Sequence, residues 1–353
     1  MKTHLRPTGF VDSPFGHDGK VARLAGGLNW FASVELIHED GARELVPVDG
    51  IDARFDDAMA ATWARIIAPR PPLQLGQRTI RLDQPQAMGI VNVTPDSFSD
   101  GGQYADARAA AEAGASMAAA GAALIDVGGE STRPGAKDVW EGDEIEHILP
   151  VIQQLAAGGT AVSIDTRKAA VIEAALGAGA GLVNDVSALT HDERSAEVVA
   201  AAGVPVILMH HQGDPQSMQD NPRYGDVLVE VYFWLEARIA AAEAAGVARA
   251  SILVDPGIGF GKSVAHNLEL INGLALFHGL GCPIVIGASR KRMIGALSNE
   301  APADQRLAGS LALALKAADQ GAQLIRVHDV PETVQALKVW RGLRDQALTP
   351  RVS

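Results

Sequence analysis

The sequence has one cysteine, no long apolar run and no excess of positive charge, and each lack excludes a class of protein. With Cys282 alone, the chain has no intramolecular disulfide and no metal cluster built on several cysteines. No stretch approaches the roughly 18 uncharged apolar residues of a membrane-spanning helix. The first residues, MKTHLRPTGF, lack the apolar segment of a secretory signal. We therefore expect a soluble, cytoplasmic protein.

The net charge of −12 argues against non-specific binding to nucleic acid or to an anionic membrane. It leaves an anionic small substrate open, because such a ligand responds to local charge. Apolar residues make up 47% of the 353 residues and charged residues 20%. This composition predicts a folded chain with a sizeable core, organised as one large domain plus a smaller piece or as two domains.

From residue 88 onward, short β-branched runs alternate with alanine-rich segments. The runs predict strands buried on both faces, as in a parallel sheet. They lie at 89–93, 123–129, 161–166, 181–186, 205–210, 251–256, 283–289 and 324–330. The segments between them, such as 106–122 and 227–246, have helical spacing, and several end in a glycine typical of a helix C-cap: Gly121, Gly203 and Gly246.

Eight strand–helix units between Met88 and Gln346 predict an α/β fold, a (β/α)8 TIM barrel, which typically needs about 250 residues. The alternative is an open doubly wound sheet, which more often carries a glycine-rich phosphate turn after its first strand. Here the first strand is followed by TPDSFSDGG, which has no G-x-G-x-x-G pattern. We therefore favour the barrel.

Residues 1–72 lack the regular alternation seen after residue 88. They predict a small α/β extension of unknown role, with the barrel spanning 73–353. LNWFASVELI and RELVPVDGI resemble strands, FDDAMAATWARIIA resembles a helix, and Pro69, Pro71 and Pro72 indicate a rigid linker. The segment TIRLDQPQ (79–86) is expected to close the bottom of the barrel. The extension carries no catalytic constellation. Its histidines have structural or surface roles, since no metal-ligand spacing joins them: His4, His17 and His38.

Each predicted barrel strand ends in polar side chains. They are Asn92 and Thr94; Glu130, Thr132 and Arg133; Asp165; Asn184 and Asp185; His210 and His211; Asp255; Ser289 to Lys291; and Arg326 and His328. The carboxyl ends of barrel strands ring one mouth, where barrel enzymes have their active sites. Since an unpaired buried charge costs several kcal/mol as an order of magnitude, this accumulation predicts a solvated cavity that binds a ligand.

The residue types indicate what the cavity holds. Asp165, Asn184 and Asp255 suit a flat heterocycle that presents ring and exocyclic N–H donors, and Lys291 can donate to its opposite edge. A cationic rim suits phosphate oxygens, and its members are Arg133, Arg326 and His328. Any one of the three acceptors, taken alone, is as easily a helix N-cap that follows a strand. Their clustering with Lys291 in one predicted mouth favours the binding site.

These residues lie in motifs by which the sequence resembles the dihydropteroate synthase family. The resemblance runs from about Gln77 to the last helix. The motifs occur in order on the eight strand–helix units: MGIVNVTPDSFSDGG (88–102), GGESTRPG (128–135), SIDT (163–166), NDV (184–186), DPGIGFGK (255–262), SRKRM (289–293) and RVHDV (326–330). Members condense 6-hydroxymethyl-7,8-dihydropterin diphosphate with p-aminobenzoate, are usually homodimers, and are sulfonamide targets.

The resemblance implies roles residue by residue. The pterin would be held by Asp165, Asn184, Asp255 and Lys291, with its faces flanked by Met209 and Phe260. Asn92 would place Mg²⁺ on the diphosphate, aided by Thr132, Arg326 and His328. The p-aminobenzoate would lie near Ser289, Lys291, Arg133 and Pro134. Loops 94–104 and 130–139 would close over the site. The residues implied to be catalytic are Lys291, Asp165, Asp255, Arg326 and His328.

Four other functions remain open at this point. A methyltransferase acting between methyltetrahydrofolate and a corrinoid would share the three pterin-binding acceptors, but it has no need of GGESTRPG or RVHDV. A Schiff-base aldolase would use Lys291 as its nucleophile. A metal-dependent hydrolase would need clustered ligands that the sequence does not offer. A non-catalytic pterin-binding protein would keep the site without turnover.

Overall fold

The molecule consists of an N-terminal sheet with one helix, a short hairpin, and a barrel. The computed structural model describes residues 2–93, 103–130, 138–213, 218 and 221–349. Its strands are β1 (Thr3–Val11), β2 (Ala22–Arg23), β3 (Trp30–His38), β4 (Arg43–Pro47), β5 (Leu73–Leu75), β6 (Arg78–Ile80), β7 (Gln86–Asn92), β8 (Leu124–Gly128), β9 (Val162–Asp165), β10 (Leu182–Asp185), β11 (Val206–Met209), β12 (Ile252–Asp255), β13 (Val285–Ile286) and β14 (Leu324–Val327).

One helix, α1, belongs to the N-terminal extension, and the others follow the barrel strands in the predicted alternation. They are α1 (Asp57–Ile67), α2 (Gln103–Ala120), α3 (Glu141–Ala157), α4 (Ala169–Gly177), α5 (Ser195–Ala202), α6 (Val227–Ala244), α7 (Val264–Asn272), α8 (Arg292–Leu297), α9 (Leu307–Asp319) and α10 (Val330–Leu348). The glycines predicted to end helices, Gly121, Gly203 and Gly246, all have positive φ, as a left-handed helix end requires. No helix in the described part of the chain is long and apolar enough to cross a membrane.

The barrel is closed by parallel pairing around the whole ring. From β7 to β12 each strand pairs with the next, while β14 pairs with both β7 and β13. An isolated bridge between Val254 and Ile284 completes the ring between β12 and β13. All eight predicted barrel strands are present, and the predicted TIM barrel is confirmed.

Side chains alternate between the interior and the helix layer along each strand, because the repeat of a strand is two residues. The lower interior ring is apolar, and its members are Met88, Leu124, Leu182, Ile207, Leu253, Val285 and Leu324. Two positions further along five of these strands the interior residues are Asp126, Asn184, Met209, Asp255 and Arg326. The barrel is therefore packed at its bottom and polar at its mouth.

The hairpin of β5 and β6 closes the bottom of the barrel. Leu73, Leu75, Ile80 and Leu82 are buried and pack against the apolar interior ring in one cluster. The expectation that segment 79–86 closes this end is confirmed. The short hairpin contributes apolar area that would otherwise face solvent beneath the strands.

The N-terminal sheet has more strands than the sequence predicts. β3 and β4 correspond to the two predicted strands and α1 to the predicted helix, but β1 and β2 are additional. β1 contains Pro7, which cannot donate to a ladder and is tolerated only on an edge strand. β1 is such an edge, since it pairs with β3 alone. One face of the sheet packs on α1 through Leu5, Phe31 and Ile66.

This sheet and α1 are anchored on a 3-10 helix, Leu274–Leu280, in which every residue is buried. Three arginines donate to its last carbonyl oxygens: Arg70 to His278 at 3.1 Å, Arg65 to Gly279 at 2.6 Å, and Arg249 to Leu280 at 2.5 Å. Helix-end carbonyls that lack intrahelical partners must be satisfied in this way when buried. The extension therefore completes the polar contacts of a barrel segment.

We expect Arg70→Met to lower the free energy of unfolding by about 1–3 kcal/mol, because it removes a buried donor from three carbonyl oxygens, of which His278 O keeps the Gly281 N–H as a further donor in its turn. Arg70 also donates to Arg65 O at 2.9 Å and to Ala68 O at 3.0 Å, and it is 6% exposed. Urea unfolding followed by circular dichroism measures the change. The control is Arg54→Met, which removes an exposed ion pair with Glu44 and should change stability by about 0.5 kcal/mol or less. Equal effects of the two substitutions would contradict the anchoring role.

Candidate active site

Arg326 lies at the centre of the polar mouth and pairs with two carboxylates. Its Nε donates to Asp126 Oδ2 at 2.6 Å, and a terminal nitrogen donates to Asp165 Oδ2 at 2.7 Å. These residues come from β14, β8 and β9, at the interior positions that strand alternation gives them. The two carboxylates raise the pKa of Arg326 although burial opposes that shift. Arg326 is therefore a permanent cation inside the barrel.

Asp126 is a site residue that sequence reasoning missed. It is fully buried, and its Oδ2 accepts from both Arg326 and the Asn184 amide, at 3.0 Å from Asn184 Nδ2. This contact fixes the orientation of the Asn184 side chain, so that its carbonyl oxygen is the group left for a ligand donor. Within the described residues Asp126 Oδ1 has no hydrogen-bond partner. The available signal was a charged residue inside the apolar run ALIDVGG.

The buried carboxylates of the mouth outnumber the charge that Arg326 supplies. Burial raises the pKa of Asp165 to about 7, with Arg326 opposing the shift and Asp126 reinforcing it. Burial also raises the pKa of Asp255, against a backbone hydrogen bond from Gly257 and the charge of Lys291. Carboxylates in this condition favour any ligand that brings N–H donors.

The loop after β12 contains the residues that contact the Lys291 ammonium. Three glycines in DPGIGFGK have positive φ: Gly257, Gly259 and Gly261. A Cβ atom on Gly259 would lie 2.8 Å from Lys291 Cδ, so glycine gives the lysine its room. The Lys291 ammonium donates to Ile258 O and lies 4.1 Å from the centroid of the Phe260 ring. Burial lowers the pKa of Lys291 to about 7, with Asp255 opposing the shift.

Ser289 joins β13 to β14 at the mouth. Its hydroxyl accepts from the His328 backbone N–H at 3.2 Å and lies 3.1 Å from His328 Nδ1. The neighbouring Arg290 points elsewhere, since its Nε donates to Asp329 Oδ2 at 2.9 Å. Ser289 and His328 therefore form one polar unit beside Lys291, while Arg290 has a structural role.

The remaining predicted residues divide into those described and those not. Met209 is 5% exposed on β11 and Asn92 is exposed at the end of β7, both at the mouth. Three predicted residues lie outside the described residues, as do most of the predicted lids 94–104 and 130–139: Thr132, Arg133 and Pro134. In the described ranges, no three His, Cys, Asp or Glu side chains are grouped so that they could hold a metal ion.

The helix N-cap interpretation is wrong for all three acceptors, because the N-caps of the helices after β9, β10 and β12 are Lys168, Arg194 and Ser263. Asp165 pairs with Arg326 and Asn184 donates to Asp126. Asp255 does stabilise a turn, since its Oδ1 accepts from Gly257 N at 2.7 Å. All three nevertheless face the same space above the apolar ring.

Comparison with known proteins identifies relatives of this arrangement. A family described as "Pterin binding enzyme" matches residues 88–328. Dihydropteroate synthase of Escherichia coli (strain K12) is 47% identical over 262 residues, covering 74% of this chain and 92% of that protein. Dihydropteroate synthase of Xanthomonas albilineans with 4-aminobenzoic acid has a TM-score of 0.74 and 48% identity, covering 79% of this chain and 100% of that one. The same enzyme in complex with 7,8-dihydropteroate has a TM-score of 0.71 and 45% identity, with the same coverage.

The excess of buried carboxylate predicts a pH dependence of stability. Because the pKa of Asp165 is raised in the folded protein from 3.8 to about 7, its contribution to stability is full below pH 3.8 and is lost as the pH rises through about 7. Asp165→Asn keeps the shape and removes this loss. The stability of the variant relative to wild type should therefore grow between pH 5 and pH 8, on the order of 1–3 kcal/mol.

Chemical denaturation at a series of pH values measures this difference. The matched control is Asp143→Asn, on the exposed first turn of α3. If the stability difference between Asp165→Asn and wild type stays constant over this pH range, ionisation of Asp165 does not destabilise the folded protein.

Proposed function

This chain belongs to the dihydropteroate synthase family of pterin binding enzymes, and we propose that its barrel mouth contains three subsites for the reaction of that family. In this reaction it condenses 6-hydroxymethyl-7,8-dihydropterin diphosphate with p-aminobenzoate. One subsite holds the pterin deep in the mouth, one holds the diphosphate at the rim, and one holds p-aminobenzoate beside Lys291. The single observation that carries this division is the set of under-compensated acidic groups around Arg326.

The pterin subsite is formed by acceptors that need donors. Asp165 and Asp255 are buried carboxylates with raised pKa values, and the oriented Asn184 offers its amide oxygen. A pterin presents the 2-amino group, N3–H and N8–H along one edge, which matches acceptors of this kind. Binding replaces water by charge-assisted hydrogen bonds in a dry cavity, where each is worth more than in solvent.

Lys291 and two apolar side chains complete the pterin subsite. The lysine donates to the carbonyl edge of the ring, opposite the acceptors, and its ammonium is held over Phe260. Met209, on the neighbouring strand to Asp255, supplies a soft face for the flat ring. With the edges bonded and the faces covered, the exocyclic methylene is the part of the pterin that points to the rim.

The diphosphate subsite lies at the rim with Asn92 and His328. Mg²⁺ commonly binds through one or two protein oxygens together with substrate phosphates and waters. The exposed Asn92 amide fits that pattern, and Mg²⁺ there would neutralise charge that develops on the leaving diphosphate. His328 and the remaining N–H groups of Arg326 add donors. Thr132 and Arg133 are proposed to contribute from the segment outside the described residues.

The protein's work in this reaction is electrostatic. Electrons of the dihydropterin ring expel the diphosphate and leave a cation-like methylene, which the weakly basic amine of p-aminobenzoate attacks. The acidic groups stabilise the developing cation and the rim stabilises the leaving group. Water must be kept out, because it would capture the methylene. Ser289 and Pro134 are proposed to hold p-aminobenzoate so that its nitrogen meets the methylene first.

We also propose that the enzyme is a cytoplasmic homodimer. Val339 and Leu343 are exposed by 62% and 69% one turn apart on α10, which supports a covered helix face there. The sole cysteine, Cys282, is buried and unpaired, which suits a reducing compartment.

The function is tested by diphosphate release from 6-hydroxymethyl-7,8-dihydropterin diphosphate with Mg²⁺, with and without p-aminobenzoate. Release that requires p-aminobenzoate and yields 7,8-dihydropteroate is expected, and chelation of Mg²⁺ should suppress it. Tight pterin diphosphate binding without product would indicate a non-catalytic binding protein.

Lys291→Ala and Asp255→Ala should each raise the barrier by about 3–4 kcal/mol, the usual cost of removing one preorganised electrostatic contact. Steady-state kinetics of dihydropteroate formation measure the change in kcat/KM. A folded variant at either position with turnover within about tenfold of wild type would contradict the assigned roles.

Gly259→Ala tests whether the position of Lys291 matters as well as its presence. The added methyl would displace the lysine chain, and misplacement of a catalytic group by about 1 Å can cost about 10²-fold in rate. Gly342→Ala, where a Cβ meets nothing within 4 Å, is the control and should retain wild-type kinetics. Equal kcat/KM for the two glycine variants would refute the spatial argument.

A further inference from the structure

Lys262 is a buried charged group outside the three proposed subsites. It is 2% exposed and follows Gly261 at the end of the DPGIGFGK loop. Its Nζ lies 2.9 Å from Gly257 O, 3.0 Å from Phe260 O and 2.8 Å from His210 Nδ1. An ammonium has three N–H donors and no acceptor. The three shortest contacts match its three donors, and His210 O lies further away at 3.5 Å.

The third contact defines the state of His210. With Lys262 as the donor, His210 Nδ1 accepts and the imidazole is neutral with its proton on Nε2; the Asp255 carboxylate favours the charged lysine against the burial that lowers its pKa. Burial and the charge of Lys262 together lower the pKa of His210 to about 2, which agrees with this tautomer. The ring also packs edge-on against Trp234 with centroids 4.9 Å apart. His210 is thus a fixed acceptor at the end of β11.

The two carbonyl oxygens that accept from Lys262 belong to residues on either side of the loop segment that contacts Lys291. Gly257 and Phe260 flank Ile258, whose carbonyl oxygen accepts from the Lys291 ammonium. The loop is also pressed on the end of β11. A Cβ on Gly257 would lie 1.8 Å from His210 O, and one on Gly261 would lie 2.3 Å from Gln212 O. Lys262 therefore donates to two carbonyl oxygens of a loop that already lies in close contact with the end of β11.

We infer that Lys262 is a positioning residue that holds the 257–260 loop against His210, so that the Ile258 carbonyl and the Phe260 ring keep Lys291 on the pterin. Lys262 itself does not touch substrate. The inference rests on the proposed function for the identity of the ligand. It assigns to the loop a rigidity that comes from the hydrogen bonds of one buried lysine in addition to the apolar packing of Ile258.

The test compares Lys262→Met with wild type and with Lys316→Met, a control on α9. Calorimetry gives the affinity for pterin diphosphate, and steady-state kinetics give kcat and the KM of each substrate. We expect Lys262→Met to weaken pterin diphosphate binding and to lower kcat, each by about tenfold to a hundredfold. The KM for p-aminobenzoate should change less than the affinity for pterin diphosphate, because Lys291 is shared by the two subsites while Ser289 is not on this loop. A purely structural role would reduce the folded fraction and leave these constants as they are in wild type.

His210→Leu is the second variant, in case Lys262→Met does not fold. It keeps the lysine and removes one acceptor, and it should show the same pattern of pterin affinity and kcat at a smaller size. Wild-type constants in a folded Lys262→Met or His210→Leu protein would overturn the inference while leaving the synthase function intact. If wild-type protein bound pterin diphosphate but made no dihydropteroate, the proposed function would fail. The calorimetric comparison would still decide the role of Lys262.

Discussion

The ion pairs of Arg326 with Asp126 and Asp165 are the interaction on which the polar half of the barrel interior depends. A closed eight-stranded barrel has room only for side chains, so each charge placed inside must find a partner within the ring. One guanidinium serves two carboxylates, so Asp126 and Asp165 together carry one more negative charge, when ionised, than Arg326 can match. That excess is unfavourable in the free protein, and in the proposed pterin subsite a donor-rich heterocycle would make it favourable. Stability is thereby exchanged for affinity at the mouth.

The same need to pair buried charges explains why two lysines lie beside Asp255. Lys291 faces the ligand space and Lys262 faces the protein, and both contact carbonyl oxygens of one loop. Burial lowers the pKa of both lysines, and the Asp255 carboxylate opposes that shift for each. Glycines with positive φ bring the loop backbone close enough for both contacts. The glycines of the motif are thus required by the geometry of the two lysines.

Much of the fold could be read from the sequence because its signals are local. Apolar runs of strand length and glycine-ended helical segments located every barrel unit, and polar residues at strand ends located the mouth. Two kinds of feature could not be read. β1 contains Pro7 and Gly9, so it carries no strand signal until an edge position is known. Asp126 lies within an apolar run, and its importance depends on Arg326, 200 residues away in the chain. Pairing over such distances has no local pattern.

The N-terminal extension acts on the barrel strand with the least pairing of its own. β13 has two residues, and an isolated bridge at Ile284 joins this part of the chain to β12. The 3-10 helix Leu274–Leu280 immediately precedes it, and two arginines of the extension and linker, Arg65 and Arg70, donate to that helix's final turn. Beyond β13 the chain reaches Ser289 and Lys291. Because β13 makes few strand contacts of its own, the packing and hydrogen bonds at its entry matter more for its placement. The extension therefore stabilises the entry to the strand whose carboxyl end leads to Ser289 and Lys291.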